Sequence, residues 1–327
     1  MAGNNGNEMI SGSNLERMLR AGHFAVTGEL GPPTGADKSV IAKKAEHLKG
    51  AVDAVNVTDN QTSVARMSSI SVASMLVDLG LEPVVQMTVR DRNRIAIQAD
   101  LFGAWALGCR NLLCLTGDHM TFGNHPEAKG VYDMDSIQFL RMMREMGEKG
   151  VAECGDELEG APKFFLGAAA NPYAPPYEYR PYRLAKKVQA GARFIQTQCT
   201  YNMPRFQEYM QRAGDLGLLD DVYVMIGVTP LKSTGMAWYM ANNVPGLDVP
   251  EDVVDRMRAA VSDIPKEDKK ARGKAQREMG IEIAAETIQQ AQEIPGVAGV
   301  HIMAIEWEKR VAEIVERAGL LPRPEPV

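Results

Sequence analysis

Eight apolar, β-branched runs recur through the chain, at 24–30, 51–58, 82–89, 110–117, 163–170, 193–200, 221–228 and 297–304. Each is continuous rather than alternating, the pattern of a strand buried on both faces of a parallel sheet. Between them lie segments of helical spacing and mixed charge, at 38–49, 64–79, 93–107, 136–148, 182–190, 204–216 and 271–293. Parallel strands need crossover connections, so strand–helix alternation over a whole chain marks repeated βαβ units. Eight units predict an α/β chain folded as a single-domain (β/α)8 TIM barrel. A doubly wound open sheet is the competing architecture. No G-x-G-x-x-G follows the first run, which counts against its dinucleotide-binding form. The barrel is expected over 21–320, after a mobile, polar lead-in at 1–20 and before a tail at 321–327.

Composition narrows the function classes. With 327 residues, 45% hydrophobic, the chain can bury a core without disulfides or metal staples. The net charge is −6 and no basic block stands out, which argues against nucleic acid as a partner. No run approaches the roughly 18 apolar residues of a membrane span. The opening stretch lacks the charged and apolar regions of a secretory signal. The four cysteines (Cys109, Cys114, Cys154 and Cys199) form no C-x-x-C and no zinc-like spacing. They read as free thiols in a reducing compartment, so a cytoplasmic protein without a metal site is expected.

Active sites of such barrels form at the C-terminal strand ends. There the sequence places Glu29 before Gly31-Pro32-Pro33, then Thr58-Asp59-Asn60, then Gln86, Thr88 and Arg90. Thr116-Gly117-Asp118-His119, Asn171, Gln196 and Gln198, Thr229-Pro230, and His301 with Glu306 follow. Glu29 and Asp118 leave different strands and are expected at one mouth, an arrangement suited to acid/base work. No helix begins after Glu29 to be capped by it, whereas Asp118 beside Gly117 also fits a turn. Gln198, inside an apolar run, needs several partners for its amide. His119 and His125 read as loop residues, and the methionines of 134–146 as core.

These residues resemble the methylenetetrahydrofolate reductase family over most of the chain. Glu29-Leu30-Gly31-Pro32-Pro33 is similar to that family's E-x-x-P-P, and Asn56-Val57-Thr58 to its second-strand S/N-V-T. Thr88 resembles the Thr of its H-L-T-C segment, and Leu115-Thr116-Gly117-Asp118 its L-R-G-D. Tyr132 falls where a flavin-contacting Tyr stands. Lys187, Ala190-Gly191-Ala192 and Ile195-Gln196-Thr197-Gln198 resemble K-x-x-A-G-A…I-T-Q. Gly227-Val228-Thr229-Pro230 resembles G-I-L-P, and Gly299-Val300-His301 resembles G-x-H-F-Y.

The resemblance implies a flavin-containing barrel that reduces 5,10-methylenetetrahydrofolate to 5-methyltetrahydrofolate. It makes Glu29 the general acid at N10. It sets Asp118 near flavin and pterin, where an anion favours the iminium form of the substrate. Gln198 and Thr234 then fall at the substrate. Thr58, Gln86, Thr88, Thr116, Gly117, Asp118, Tyr132, Ala168, Arg180 and Lys187 fall at the flavin, which is FAD by family habit with FMN as the alternative. Departures are visible. Thr116 stands for the family's Arg, Gln86 for its third-strand His, and Thr234 for the aromatic that sandwiches nicotinamide and folate. Arg180 reverses the charge of a flavin-site Asp, and Trp307 falls near the Arg that follows the last strand. The pattern resembles short reductases of acetogenic and related anaerobes that work with a partner subunit. Electrons are therefore expected from NAD(P)H or from a redox partner protein, in a hetero- or homo-oligomer. Two other readings are a flavin-free, pterin-binding barrel of methyltransferase type and a non-catalytic subunit of a larger complex. An aldolase would need a strand-borne lysine, and none of the eight runs carries one at its C-terminal end.

Overall fold

The eight expected strands all form. In the computed structural model, which describes residues 9–325, they are β1 Ala25–Leu30, β2 Ala54–Val57, β3 Pro83–Thr88, β4 Asn111–Leu115, β5 Phe165–Ala170, β6 Phe194–Cys199, β7 Tyr223–Val228 and β8 Val297–Ile302. All pair in parallel in sequence order, and β8 returns to β1, closing a (β/α)8 barrel. The helices are α1 Asn14–Arg20, α2 Lys38–Glu46, α3 Ser69–Asp78, α4 Arg94–Ala106, α5 Ser136–Lys149, α6 Arg180–Ala190, α7 Met203–Asp215, α8 Thr234–Asn243, α9 Glu251–Ala259, α10 Lys269–Gln292 and α11 Val311–Arg317. Local chemistry sets their ends. α5 starts in a capping box between Asp135 and Gln138 and stops at Gly150, φ 69°.

Side chains alternate along each strand. One set, including Val26, Val55, Val85, Cys114, Ala168 and Ile195, packs outward against the helices. The other fills the barrel. Its lowest level is apolar: Ala25, Ala54, Val84, Leu113, Phe165, Phe194 and Met225. The Phe165 and Phe194 rings stack at 5.2 Å, and Gly167 leaves the room that Phe194 occupies. Above it the interior turns polar, with Thr27, Asn56, Gln196 and His301 all buried.

Both ends of the described chain carry contacts of their own. Residues 14–20, read as part of a mobile lead-in, form α1, whose Leu15, Met18 and Leu19 close the barrel floor. The Ser13 hydroxyl caps this helix by accepting the Glu16 N–H, and Glu82 below β3 accepts the Leu15 N–H at 2.8 Å. Burial raises the Glu16 carboxyl, but the Ile10 and Ser11 N–H groups and Arg20 outweigh it and hold the group low. The tail is anchored as well. Arg323 makes a bidentate pair with buried Asp53 at 2.7 and 3.0 Å, and Asp53 also accepts the Val26 N–H. Residues 1–8 and 326–327, the remainder of the lead-in and tail, lie outside the described residues.

Candidate functional site

At the C-terminal end of the barrel lies a cavity of about 420 Å³, within the size range of ligand pockets. Glu29, Gln86, Gln198 and His301 line it from the strands, and Arg180, Arg183 and Lys187 from α6. A smaller space of about 250 Å³ shares Gln86 and Leu115 with it and continues past Thr88, Thr116, Gly117 and Asp118. Most residues expected at the site thus line one of two adjoining spaces at the same end of the barrel.

Glu29 sits on the inward register of β1, with its carboxylate 3.7 Å from His301 Nε2. The side chain is 18% exposed, so it is open to a ligand from the cavity side. Gln198 lies two residues beyond inward-facing Gln196 on β6, so strand alternation brings it to the same cavity, next to a β6–β7 register shift between Gln196 and Cys199.

The cationic wall comes from one helix. The Lys187 ammonium is buried and donates to the Ala169 carbonyl. Burial, and next the charge of Arg183, push Lys187 down to about 8. Arg180 spends two guanidinium donors on the carbonyls of Ala174 and Pro175. A buried amine with two arginines beside it, Leu184 on the same helix, and Leu113 and Leu115 from β4 suits a flat ligand that carries an anionic group.

Gly117 adopts φ +92°, and a Cβ there would stand 3.0 Å from the Cβ atoms of both Thr88 and Arg90. A side chain is therefore excluded twice, by conformation and by space. Thr88 is held by Asp59, which accepts both its N–H and its hydroxyl, and Arg92 pairs with Asp59 at 2.7 Å. Thr58 donates to Gln61 at 2.7 Å, one step from the smaller space. Asp118 lines that space and also accepts the Thr62 N–H, so the turn role and the mouth position coexist.

Four expected residues do not line these spaces: Thr58, which reaches only Gln61, and three others. Ala168 has the outward register of β5 and packs against the helices, while its neighbours Ala169 and Ala170 line the cavity. Tyr132 stands at φ 42° in the loop before α5, partly exposed, with its hydroxyl near Met120. Thr234 begins α8, where its hydroxyl donates to the Met257 carbonyl and its N–H to Gln276. His301 stands at a strand end as expected, but its pairing with Glu29 depends on strand register, which a continuous apolar run hides. Arg183 joins the site from α6, one turn before Lys187. Among the described residues, no group of three or more His, Cys, Asp or Glu is placed to hold a metal, and no helix is long and apolar enough to cross a membrane. Cys154 is an exposed free thiol, and Cys109, Cys114 and Cys199 are buried free thiols.

Fold and site define a (β/α)8 barrel with a carboxylate, amides and an anion-accepting wall gathered at its C-terminal mouth. Residues 14–319 match the methylenetetrahydrofolate reductase family, and the chain belongs to that family. Methylenetetrahydrofolate reductase 2 of Schizosaccharomyces pombe is 27% identical over 270 residues, 78% of this chain and 38% of that protein. The enzyme of the same name from Saccharomyces cerevisiae is 25% identical over 267 residues, 79% of this chain and 40% of that protein. The chain thus spans at most about two-fifths of these relatives' length. A solved structure of a Clostridium thermocellum protein, described as binding two copies of 5-methyl-5,6,7,8-tetrahydrofolic acid, is similar in fold, with a TM-score of 0.59 at 14% identity. It covers 93% of this chain and 99% of its own.

Proposed function

We propose that this chain reduces 5,10-methylenetetrahydrofolate to 5-methyltetrahydrofolate with a bound flavin. The observation that carries the reading is one cavity in which the Glu29 carboxylate faces a mouth walled by Lys187, Arg180 and Arg183. Family membership supports it, as does the methyltetrahydrofolate bound by the Clostridium thermocellum neighbour.

The residues present fit a flavin. Lys187, with Arg180 and Arg183, would hold its phosphate, because three cationic side chains of one helix line the cavity and a buried ammonium is stabilised by an anion. Gln86, Thr88, Thr116 and Gly117 would edge the ring, Gly117 by letting backbone approach a flat face. When bound, flavin supplies the electron pair that reduces the methylene carbon. The chain's own part is binding and proton management. Glu29 gives a proton to N10 as the carbon–nitrogen bond opens. Asp118 keeps negative charge near the cationic carbon. Gln198 orients the folate with its amide.

Thr234 cannot stack on a nicotinamide, and its hydroxyl is committed to α9. We therefore assign electron delivery to a redox partner protein in a hetero-oligomer, with direct NAD(P)H reduction as the alternative. A cytoplasmic setting accords with the free thiols. The test is titration of the purified protein with FMN and FAD, followed by single-turnover reduction of methylenetetrahydrofolate. Glu29→Gln should retain flavin and folate binding, keep reduction by the electron donor and lose the folate half-reaction. A protein that takes up neither flavin, or a Glu29→Gln variant with normal turnover, overturns the reading.

A further inference from the structure

Barrel interiors are normally filled by branched apolar side chains. Here one level, directly beneath Glu29, carries Thr27, Asn56, Gln196 and His301 from four different strands, each at most 3% exposed. Such a polar layer costs desolvation unless every member is paired, and once paired it is rigid.

The pairing has a direction. Asn56 and Gln196 exchange amide hydrogen bonds, Asn56 Nδ2 donating to Gln196 Oε1 at 2.6 Å and Gln196 Nε2 to Asn56 Oδ1 at 3.0 Å. The second Gln196 amide hydrogen goes to Thr27 Oγ1 at 3.1 Å. Thr27 Oγ1 therefore accepts on that side and has its own hydrogen to give. His301 Nδ1 lies 3.0 Å away and the Val300 carbonyl 3.5 Å, so the imidazole is the better acceptor. An Nδ1 that accepts leaves the ring proton on Nε2. Nε2 is the nitrogen that faces Glu29 Oε2 at 3.7 Å.

We propose that His301 is a positioning residue for Glu29, its proton held on Nε2 by the buried Asn56–Gln196–Thr27 chain. The role rests on the reading of Glu29 as proton donor. When Glu29 gives its proton to the amine nitrogen leaving the methylene carbon, a carboxylate remains. His301 Nε2–H then closes the 3.7 Å gap and hydrogen-bonds that carboxylate, as catalytic contacts that are long in a free site tighten in the complex. No electrons move in this step, and Glu29 regains its proton from solvent. Reversing both amides would turn Gln196 Oε1 toward Thr27 and place the ring proton on Nδ1, away from Glu29. The two polarities are experimentally distinct.

The chain has five histidines, few enough for direct assignment. Protein labelled with ¹⁵N-histidine is examined by long-range proton–nitrogen correlation, with the His301 signals identified by their loss in His301→Gln. The expected result is an Nε2–H ring in the unaltered protein and a shift toward Nδ1–H in Thr27→Val, which keeps the shape of Thr27 and removes its hydroxyl. An Nδ1–H ring in the unaltered protein, or no change in Thr27→Val, overturns the proposal. In the flavin-loaded protein, His301→Leu should lower the folate half-reaction by roughly 10–100-fold and leave reduction by the electron donor unchanged. His301→Gln, which restores an N–H donor near Nε2, should recover most of that loss, and equal losses in the two variants argue for a merely structural ring. Full turnover in Glu29→Gln would remove the catalytic premise, while the tautomer measurement still decides the polarity of the chain.

Discussion

The Asp118 carboxylate accepts the backbone N–H of Thr62 at 3.0 Å, across the gap between the loops that leave β4 and β2. Thr62 stands at φ 55° and Ser63 at φ 56°, a conformation that needs outside support. The Asp118 carbonyl gives more, taking the Ser63 hydroxyl at 2.9 Å and the Arg90 guanidinium at 3.2 Å. One residue thus joins two loops of the mouth and brings a charge to it.

Charge and joint separate by substitution. Asp118→Asn keeps an oxygen for Thr62 and loses the charge. It should fold normally, reduce folate more slowly and show a more positive flavin potential, because a nearby anion disfavours reduced, anionic flavin. Asp118→Ala should also lose about 1 kcal/mol of stability. Potentiometry and thermal melts separate the two, and an unchanged potential with unchanged folate kinetics in Asp118→Asn would leave Asp118 as a turn residue only.

Lys187 predicts a pH dependence with a definite sign. Burial and Arg183 hold its ammonium at about 8. An anionic ligand needs the charged form, so affinity for inorganic phosphate or FMN should fall as pH rises through 8, by up to about tenfold per unit beyond it. The ligand-free fold should behave oppositely. Its lysine pKa is depressed below the unfolded value, so stability should rise with pH between about 8 and 10.5. Lys187→Met should flatten both profiles. Titration calorimetry across that range checks the first, and denaturant melts check the second.

How far these features could be read in advance depended on burial. Parallel strands covered on both faces declare themselves as apolar runs, so all eight were legible, along with Glu29 and Gln198 at their ends. The same continuity hides register. Nothing in Lys163–Ala170 shows that Ala169 faces the cavity while Ala168 faces the helices, and a family likeness assigns a residue without saying which way it points. Helix α1 did leave a trace, Ser13-Asn14-Leu15-Glu16, the S-x-x-E of a capping box, inside a segment otherwise dominated by Asn and Gly. α8 and α9 are short, and α8 has little amphipathic contrast, so the stretch between β7 and α10 gave weak periodicity.

The floor should be separable from the site. Leu15 is fully buried against the lowest interior level. Leu15→Ala should cost about 2–5 kcal/mol and leave ligand affinity unchanged in the folded population. Chemical denaturation gives the first quantity. A large loss of phosphate affinity at temperatures well below the melt would show that the floor and the mouth are coupled.

Thr234 offers a contrasting case. Its hydroxyl donates to the Met257 carbonyl at 3.0 Å, so Thr234→Val should cost about 1 kcal/mol and leave the folate KM where it is. A raised KM with unchanged stability would instead return Thr234 to the substrate.

The pairing of Arg323 with Asp53, and its donation to the Phe24 carbonyl, pins the last described stretch against the starts of β1 and β2. α1 packs on that same side. Both termini of the described chain therefore depart from the pole opposite the ligand opening. A tag, sensor surface or fused carrier joined at either point would hold the molecule by its base and present the opening to solution. Immobilised binding assays therefore have a favourable attachment geometry, provided that the joint lies beyond Arg323 and spares its contact with Asp53.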